Sequence, residues 1–510
     1  MRNQKVLYNL LSNLILQVLL IIVGFIIPKM IIHAYGSSTN GLISSITQFL
    51  ACLTIVEAGL SSAITLSLYK PVAKNDIQKI NEIMSAAREF FIKSGYVFTG
   101  LVILLAFTYP IIIEEKRHFY TSFIVLVMGL SGVVEFFFIG KYRTLLYADQ
   151  KGYILTNVQT FALISNTLIK ILFIYLGFSI LTIQIGSAIV YIVSFFLISN
   201  YIKRKYPSLN LRVQPDKTAV SQRWDILIHQ LMYIILTNTP IIILSIFCSL
   251  EDISVYSIYM MILTAISGIV FIFQNGMNSY FGNVLNTDKH EVLINLHSLY
   301  ENAFFMIITC LYCCTFVLII PFIRIYTHGI TDANYIREDL ALVMVLFGLL
   351  KVIRVPDMTI LSAAGHYKET KWRAITEGLI LILTTILFVH FYGMVGVVLG
   401  GIISLAYRSI DIIAYTHKEI LRVSVKHTVR KISLNTCLGL LSILPFGTVV
   451  HLHPTNYVAW FLTSVVVFGW IAIVILTGNF LSDRNGMKQL FRQIFPLLKV
   501  KLLKQKAEGM

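Results

Sequence analysis

The stretch from Leu10 to Asn75 constrains everything else in the chain. It reads as an apolar span (Leu10 to Ile32), a short polar turn (His33 to Asn40), a second apolar span (Gly41 to Leu68) and a basic exit at Lys70 and Lys74. Each span exceeds the roughly 20 apolar residues that cross a hydrocarbon layer, so the stretch is a transmembrane hairpin with both ends on one side. Two ionisable groups sit at membrane depth, Lys29 just after Pro28 and Glu57 just before Gly59. Such a charge costs at least ~2.5 kcal/mol unless paired or hydrated, so something in the bundle must receive each one.

The remaining sequence repeats the plan. Only 13% of the 510 residues are charged and 57% are hydrophobic, with a mean hydropathy of +0.78. Soluble domains carry roughly 25% charged residues, so a soluble fold is excluded. The first apolar segment has the basic start of a signal peptide (Arg2, Lys5). It is long and lacks a small-residue cleavage site before His33-Ala34-Tyr35, so it is expected to stay as the first membrane helix. Further spans fall at about 94–113, 119–140, 153–176, 180–199, 226–248, 253–277, 303–325, 340–364, 374–392, 394–414, 432–450 and 457–477. Between spans two and three, Ile77, Ile80, Ile83, Met84, Ala87, Phe90 and Phe91 recur at helical spacing, which predicts an amphipathic helix on the membrane surface.

The predicted fold is therefore all-α and polytopic, with about fourteen transmembrane helices. The predicted organisation is a six-helix lobe (1–199), a basic linker (200–225, with Lys203-Arg204-Lys205), a second six-helix lobe (226–431), two additional helices (432–477) and a basic amphipathic tail (478–510). The halves echo each other weakly. Ser254-Val255-Tyr256-Ser257 opens span eight much as Asn40-Gly41-Leu42-Ile43 opens span two, about 214 residues earlier. Six spans return the chain to the same side, so such repeats are parallel, related by a pseudo-two-fold axis along the membrane normal, and a substrate is expected at their interface.

The net charge of +16 reads as topology rather than as nucleic-acid binding. Of 41 lysines and arginines, the loops opposite the N-terminus hold only Lys116, Arg117 and Arg337, and the spans hold six. The positive-inside rule then makes both termini cytoplasmic. Trp224 and Trp372 look like interfacial anchors. The six cysteines lie in or at the ends of spans and behave as small hydrophobes. Cys310 and Cys313 form a lone CxxC without a second pair or nearby His, so no metal or redox site is expected.

There is no Walker A, HExxH or GxSxG motif and no large outer domain, so no catalytic residue is expected. The informative groups are the ions inside the spans, which usually face the bundle interior or a hydrated pathway. Lys351, Arg354 and Asp357 follow one another at intervals of three on roughly one face, with Pro356 beside them to kink the helix. The competing reading is an Arg354–Asp357 packing pair, which leaves Lys351 without an assigned partner. Lys29, Lys170, Arg324 and Arg408 lie nearer span ends, where snorkelling competes, and Arg408 with Asp411 also fits a local pair. Glu57 and Glu135 suit either a coupling cation, sodium or a proton, or charge balance for a cavity lysine. In span seven, Asn238 and Thr239 before Pro240 resemble a discontinuous-helix site, with interhelical hydrogen bonding as the alternative. Gly396 and Gly400 predict close helix packing. The candidate substrate-contacting set is thus Lys351, Arg354, Lys29, Lys170, Arg408 and Asn238. Glu57, Glu135, Asp357 and Asp411 are the coupling or charge-balancing set.

The hairpin also carries a family texture. Phe25-Ile-Ile-Pro28-Lys29-Met-Ile-Ile32, Tyr35-Gly36-Ser37, Asn40-Gly41-Leu42-Ile43-Ser44-Ser45-Ile46, Glu57-Ala58-Gly59 and Tyr69-Lys70-Pro71-Val72-Ala73 resemble the Wzx-type bacterial polysaccharide flippases. Val255-Tyr256-Ser257-Ile258-Tyr259 and Phe281-Gly282-Asn283 look like that family's matching second hairpin, so the resemblance covers nearly the whole chain. It implies membership of the multidrug, oligosaccharidyl-lipid and polysaccharide exporter superfamily, with two six-helix lobes around a central cavity and alternating access. The implied substrate is an undecaprenyl-diphosphate-linked oligosaccharide, moved to the outer leaflet of the bacterial inner membrane for capsule, O-antigen or exopolysaccharide assembly. Polysaccharide polymerase and chain-length machinery are the implied partners, and fixed intramembrane cations suit the diphosphate. The chain departs from the family pattern at Pro240, where many relatives carry an acidic residue.

Two other functions compete. A cation-coupled drug or metabolite antiporter of the same superfamily needs acidic cavity groups, whereas span ten is net cationic. A membrane polysaccharide polymerase needs sizeable outer loops, and the longest here is roughly 326–339.

Overall fold

The computed structural model describes residues 2–57, 60–114, 118–216, 224–285, 290–448, 454–490 and 492. Ala58 and Gly59 of the hairpin, Lys116 and Arg117, linker residues 217–223, the tail from 493 onward and the side chains of Trp224 and Asn283 lie outside that description. Among the described residues the chain is helical, without strands. The helices are α1 (Arg2–Leu53), α2 (Leu60–Lys74), α3 (Ile77–Ile112), α4 (His118–Val134), α5 (Gly140–Ala148), α6 (Gly152–Tyr175), α7 (Ile180–Lys205), α8 (Trp224–Phe247), α9 (Leu250–Leu285), α10 (His290–Tyr326), α11 (Glu338–Ile353), α12 (Val355–Ala364), α13 (Tyr367–Tyr415), α14 (Lys426–Thr448) and α15 (Tyr457–Ser482). Among the described residues ten helical stretches are long and apolar enough to cross a membrane. Two of these, Tyr8–Glu57 and Tyr367–Leu421, hold 50 and 55 residues, enough for two crossings each, and leave helical geometry at Gly36 and Gly393. With α11–α12 and α14, every one of the fourteen expected spans has a helical counterpart, and the chain is a multi-pass membrane protein.

The described residues group into two compact units. The first is Met1–Met261 with Ile330–Ala333 and Lys368–Gly400; the second is Ile262–Gly329 with Asn334–Tyr367 and Gly401–Met510.

In the first unit the hairpin is anchored at both ends. Lys5 Nζ lies 3.1 Å from Asp149 Oδ1 and Glu57 pairs with Arg143, so residues 5 and 57 meet the same short segment. Midway between them, Tyr35 OH donates to Phe178 O at 2.5 Å. Gly36 makes the reversal at φ +83°, a conformation that costs glycine little. The next residue starts a helix whose first amides need acceptors. Ser37 N and Oγ both donate to Asp332, at 2.6 and 2.7 Å. The two echoing stretches touch. Asn40 Nδ2 donates to Ser254 Oγ at 2.8 Å, 214 residues on, and a Cβ on Gly41 would lie 1.8 Å from the Leu250 carbonyl oxygen. Contact between a residue and its own repeat equivalent is what a local two-fold axis passing between them produces.

Helix α3 supplies the unit's apolar spine. Its buried residues include Met84, Ala87, Phe91, Gly95, Phe98, Val102, Ala106 and Tyr109, spaced by three or four so that one face stays buried along the whole helix. The facing helices offer notches rather than ridges. A Cβ on Gly129, Gly132 or Gly140 would stand 2.4, 2.4 or 2.3 Å from Val102, Phe98 or Phe91. The α13 hairpin closes the same way, since a Cβ on Gly396 would meet the Phe388 carbonyl oxygen at 2.0 Å and Thr384 Oγ1 donates to Gly400 O at 3.0 Å. Close packing is thus what Gly396 and Gly400 provide.

In the second unit, Met306, Cys310 and Leu318 of α10 pack with Val467, Ile471 and Ile475 of α15, and Met487 and Leu490 of the tail join them. Cys310 is a buried thiol without a disulfide, consistent with its reading as a small hydrophobe.

Four expectations need correction. Residues 77–93 do not form a separate surface helix. Their apolar stripe stays in phase with span three, so α3 continues through it and buries Ile83, Met84, Ala87 and Phe91. Span six runs past its expected end at 199, so the basic triplet Lys203-Arg204-Lys205 forms the last turn of α7, where cations complement the helix dipole. Spans two and four are interrupted, by a 3-10 turn at Thr54–Glu57 and a π turn at Glu135–Ile139. Span seven is unbroken instead, because α8 runs through Pro240 and Asn238 Nδ2 satisfies itself on Ile234 O at 2.8 Å.

Candidate functional site

Helices α6 and α7 form a hairpin around Gly177 (φ +71°), and Ser179 Oγ accepts from Thr182 N to start α7. A Cβ on Gly186 would meet Ile169 at 2.9 Å and Phe173 at 3.0 Å, so the two helices approach closely. That approach brings Asn166 and Lys170 of α6 beside Gln184 and Ser187 of α7.

These residues line a cavity of about 410 Å³ within the first unit, together with Thr47, Thr54, Ser131 and Tyr191. Ser187 Oγ lies 2.8 Å from Asn166 Oδ1. Gln184 is 95% buried, being 5% exposed, and its amide nitrogen has no hydrogen-bond partner among the described residues. An unfilled buried donor of this kind is what a ligand acceptor satisfies. Lys170 is the only ionisable side chain besides the Tyr191 phenol among the described lining residues, and no carboxylate lines the cavity. The site therefore offers one cation, two amides and several hydroxyls, a lining suited to an anion or a polyhydroxylated group.

The other expected residues fall elsewhere. Glu57 accepts from Ser61 Oγ and from Arg143. The same guanidinium lies 2.7 Å from Glu135 Oε1, so the two carboxylates share one cation. The π turn at Glu135–Ile139 carries the helix on into α5, which holds Arg143 beside both carboxylates. Lys29 is half-buried on α1. In the second unit, Arg408 Nη1 lies 2.7 Å from Asp411 Oδ2, the local pair. Lys351 and Arg354 are half-buried at the break between α11 and α12, and Pro356 lies in the first turn of α12, just past that break. Asp357 is fully buried, 3.6 Å from His297 and 3.4 Å from His417. Those histidines carried no sequence signal, because they lie 120 residues apart in polar segments.

Outside the spans, Asp149 binds Lys5, Lys151 (2.7 Å) and the Tyr206 hydroxyl (2.6 Å). Burial pushes its carboxyl upward, but Lys151, Tyr206 and Lys5 outweigh this and hold it below the ordinary range. Burial and the Asp149 carboxylate raise the Tyr206 phenol.

No protein-family model and no curated protein matches the sequence. Solved structures do resemble the fold. An inward-facing multidrug resistance MATE family transporter of the MOP superfamily aligns with a TM-score of 0.63 at 15% identity, covering 82% of this chain and 95% of its own. The lipid II flippase MurJ in an inward closed conformation gives 0.63 at 14%, over 94% and 99%. A eukaryotic MATE transporter gives 0.56 at 12%, over 85% and 98%.

Proposed function

We propose that the chain is a carrier, not an enzyme, that moves undecaprenyl-diphosphate-linked oligosaccharides from the cytoplasmic to the outer leaflet of a bacterial inner membrane. It does so by alternating access between two six-helix lobes, both termini being cytoplasmic, in capsule, O-antigen or exopolysaccharide assembly, as the Wzx-type resemblance implies. The lining of the α6–α7 cavity carries this reading. Lys170 suits a phosphate, and Asn166, Gln184, Ser131 and Ser187 suit sugar hydroxyls. A cation-exporting antiporter needs a carboxylate there, and the described lining has none. Two further observations support the reading. One similar fold belongs to a flippase of lipid II. The second unit holds an apolar groove of about 660 Å³, lined by Phe305, Tyr312, Phe316, Leu346 and Leu440, which suits a prenyl chain. Within the second unit, Lys351 and Arg354 are further cations of the kind that suits a phosphate.

The test is complementation in a bacterium deleted for its own flippase, scoring surface polysaccharide in hosts with different repeat units. Wild type should restore it. Lys170→Ala and Gln184→Leu should reduce it at least tenfold at matched membrane abundance, with Lys351→Ala and Arg354→Ala run alongside. No restoration in any host, together with cation-coupled dye efflux from vesicles, would make the antiporter the better reading. Restoration untouched by Lys170→Ala and Gln184→Leu would discard the cavity as the site.

A further inference from the structure

Four elements of the second unit converge on one buried polar cluster. His297 and Glu301 come from α10, Asp357 from α12, His417 from the turn after α13, and Thr428 and Lys431 from α14. His297, Glu301, Asp357 and His417 are 4% exposed or less. His297 Nε2 stands between both carboxylates, 3.6 Å from Asp357 Oδ1 and 3.9 Å from Glu301 Oε1. Neither that nitrogen nor either Asp357 oxygen has a hydrogen-bond partner among the described residues. Lys431 Nζ lies 3.0 Å from Glu301 Oε2.

The hydrogen-bond directions count protons. His417 Nδ1 lies 2.9 Å from Ile413 O; a carbonyl only accepts, so Nδ1 bears hydrogen. Thr428 Oγ1 lies 2.6 Å from Glu301 Oε1 and 2.9 Å from His417 Nε2. One hydroxyl hydrogen cannot serve both contacts. Both are made when His417 Nε2–H donates to Thr428, which donates to Glu301, or when protonated Glu301 donates to Thr428, which donates to Nε2. Either way the cluster holds one proton more than neutral imidazoles and ionised carboxylates supply. Charge gives the same count. Glu301 and Asp357 against Lys431 leave one buried negative charge, and such a charge is costly until neutralised.

We propose that this cluster is a binding site for a single proton, held along Glu301–Thr428–His417 and balanced against Asp357. The chemistry separates the proton from other cations. His297, Glu301 and His417 place donor atoms within 4.8 Å of one another, but both His417 nitrogens are already committed, and a divalent ion would overshoot the charge beside Lys431. Sodium prefers a shell of oxygens, and two of the groups facing the gap are imidazoles. Its role as the coupling-ion site rests on the carrier reading above; the proton site itself does not.

The test uses the full chain in nanodiscs with ring-15N histidine, followed between about pH 5 and pH 9. His297, Glu301, Asp357, His417 and Lys431 are the titratable groups that face one another here. At the acid end either His417 carries two ring N–H groups or its Nε2 accepts from Thr428; alkalinisation should remove that N–H or that accepted hydrogen bond, a transition absent in His417→Gln. Asp357→Asn and Glu301→Gln remove the charge deficit, so each should move the transition down by at least about one pH unit, tenfold in proton affinity. Lys431→Met deepens the deficit and should move it up. A wild-type cluster that does not titrate, shifts of opposite sign, or zinc binding that displaces the ring hydrogens would overturn the proposal, and the wild-type titration decides even where a variant fails to insert. Loss of complementation with the titration intact would sink the flippase reading and leave the proton site standing.

Discussion

Gly140→Ala isolates the notch packing of the first unit. The Gly140 backbone is ordinary helix (φ −53°, ψ −45°), so alanine brings no backbone strain. Its Cβ would stand 2.3, 2.6 and 2.9 Å from Cε1, Cδ1 and Cζ of Phe91. The ring must retreat by about 1 Å to reach the ~3.5 Å of carbon contact. Phe91 is fully buried, with the Phe90 ring 5.5 Å away, so retreat moves neighbours too. Overpacking of this kind costs about 1–3 kcal/mol, against a gain of about 0.4–1 kcal/mol from restricting the unfolded chain. The net loss lies between about 0 and about 2.6 kcal/mol. Gly100→Ala is the control, since nothing lies within 4 Å of its Cβ; it should match or exceed wild type. Melting followed by tryptophan fluorescence in one detergent should rank Gly100→Ala at or above wild type and Gly140→Ala below. Adding Phe91→Leu, which removes the far ring atoms, should cost less in the Gly140→Ala background than alone, a coupling of about 1 kcal/mol in a double-mutant cycle. Equal melting of the two alanine variants, or strict additivity with Phe91→Leu, would refute the steric argument.

Three further outcomes are expected. Arg143→Gln strands Glu57 and Glu135; the three side chains are 15–31% exposed, so the loss should be about 2–3 kcal/mol, below the figure for full burial. Glu57→Gln with Glu135→Gln should restore folded membrane yield. Asp332→Asn weakens the acceptor for Ser37 and should cost about 0.5–2 kcal/mol, read as a lower melting temperature. Asp149 is held below its ordinary range, so its stabilisation is full above the unfolded value near pH 3.9 and is lost as pH falls through the folded value. Wild type should therefore melt above Asp149→Asn at neutral pH, the gap closing below about pH 4.

Hydropathy made the spans legible, because each must satisfy its backbone internally and shed charge. The length of α3 was equally legible in principle: the spacing of Met84, Ala87, Phe91 and Phe98 runs without a phase slip across the polar-to-apolar boundary. Composition drew a border there that packing does not respect. Side-chain partners were less accessible. The Arg408–Asp411 pair is local and could be read from i to i+3, whereas Glu57 and Arg143 are joined only by tertiary structure. Lys170 was visible as an intramembrane cation, but its amide neighbours Asn166 and Gln184 lie on two helices whose register is set by Gly186. His297 and His417 sat in segments whose surrounding charge suggested water, and only the fold shows both buried.

The Ser37–Asp332 contact also bears on how the chain is made. Its two partners are separated by 295 residues. At about 5–20 residues per second, the ribosome needs roughly 15–60 s to reach Asp332 after Ser37. For most of that interval the hairpin, complete by Lys74, is already long enough to insert, yet the amide and hydroxyl of Ser37 lack their eventual carboxylate and must be served by water or lipid headgroups. The reversal at Gly36 thus acquires its permanent cap only once Asp332, 295 residues further on, has been made, so this hairpin is locked long after it is ready to insert.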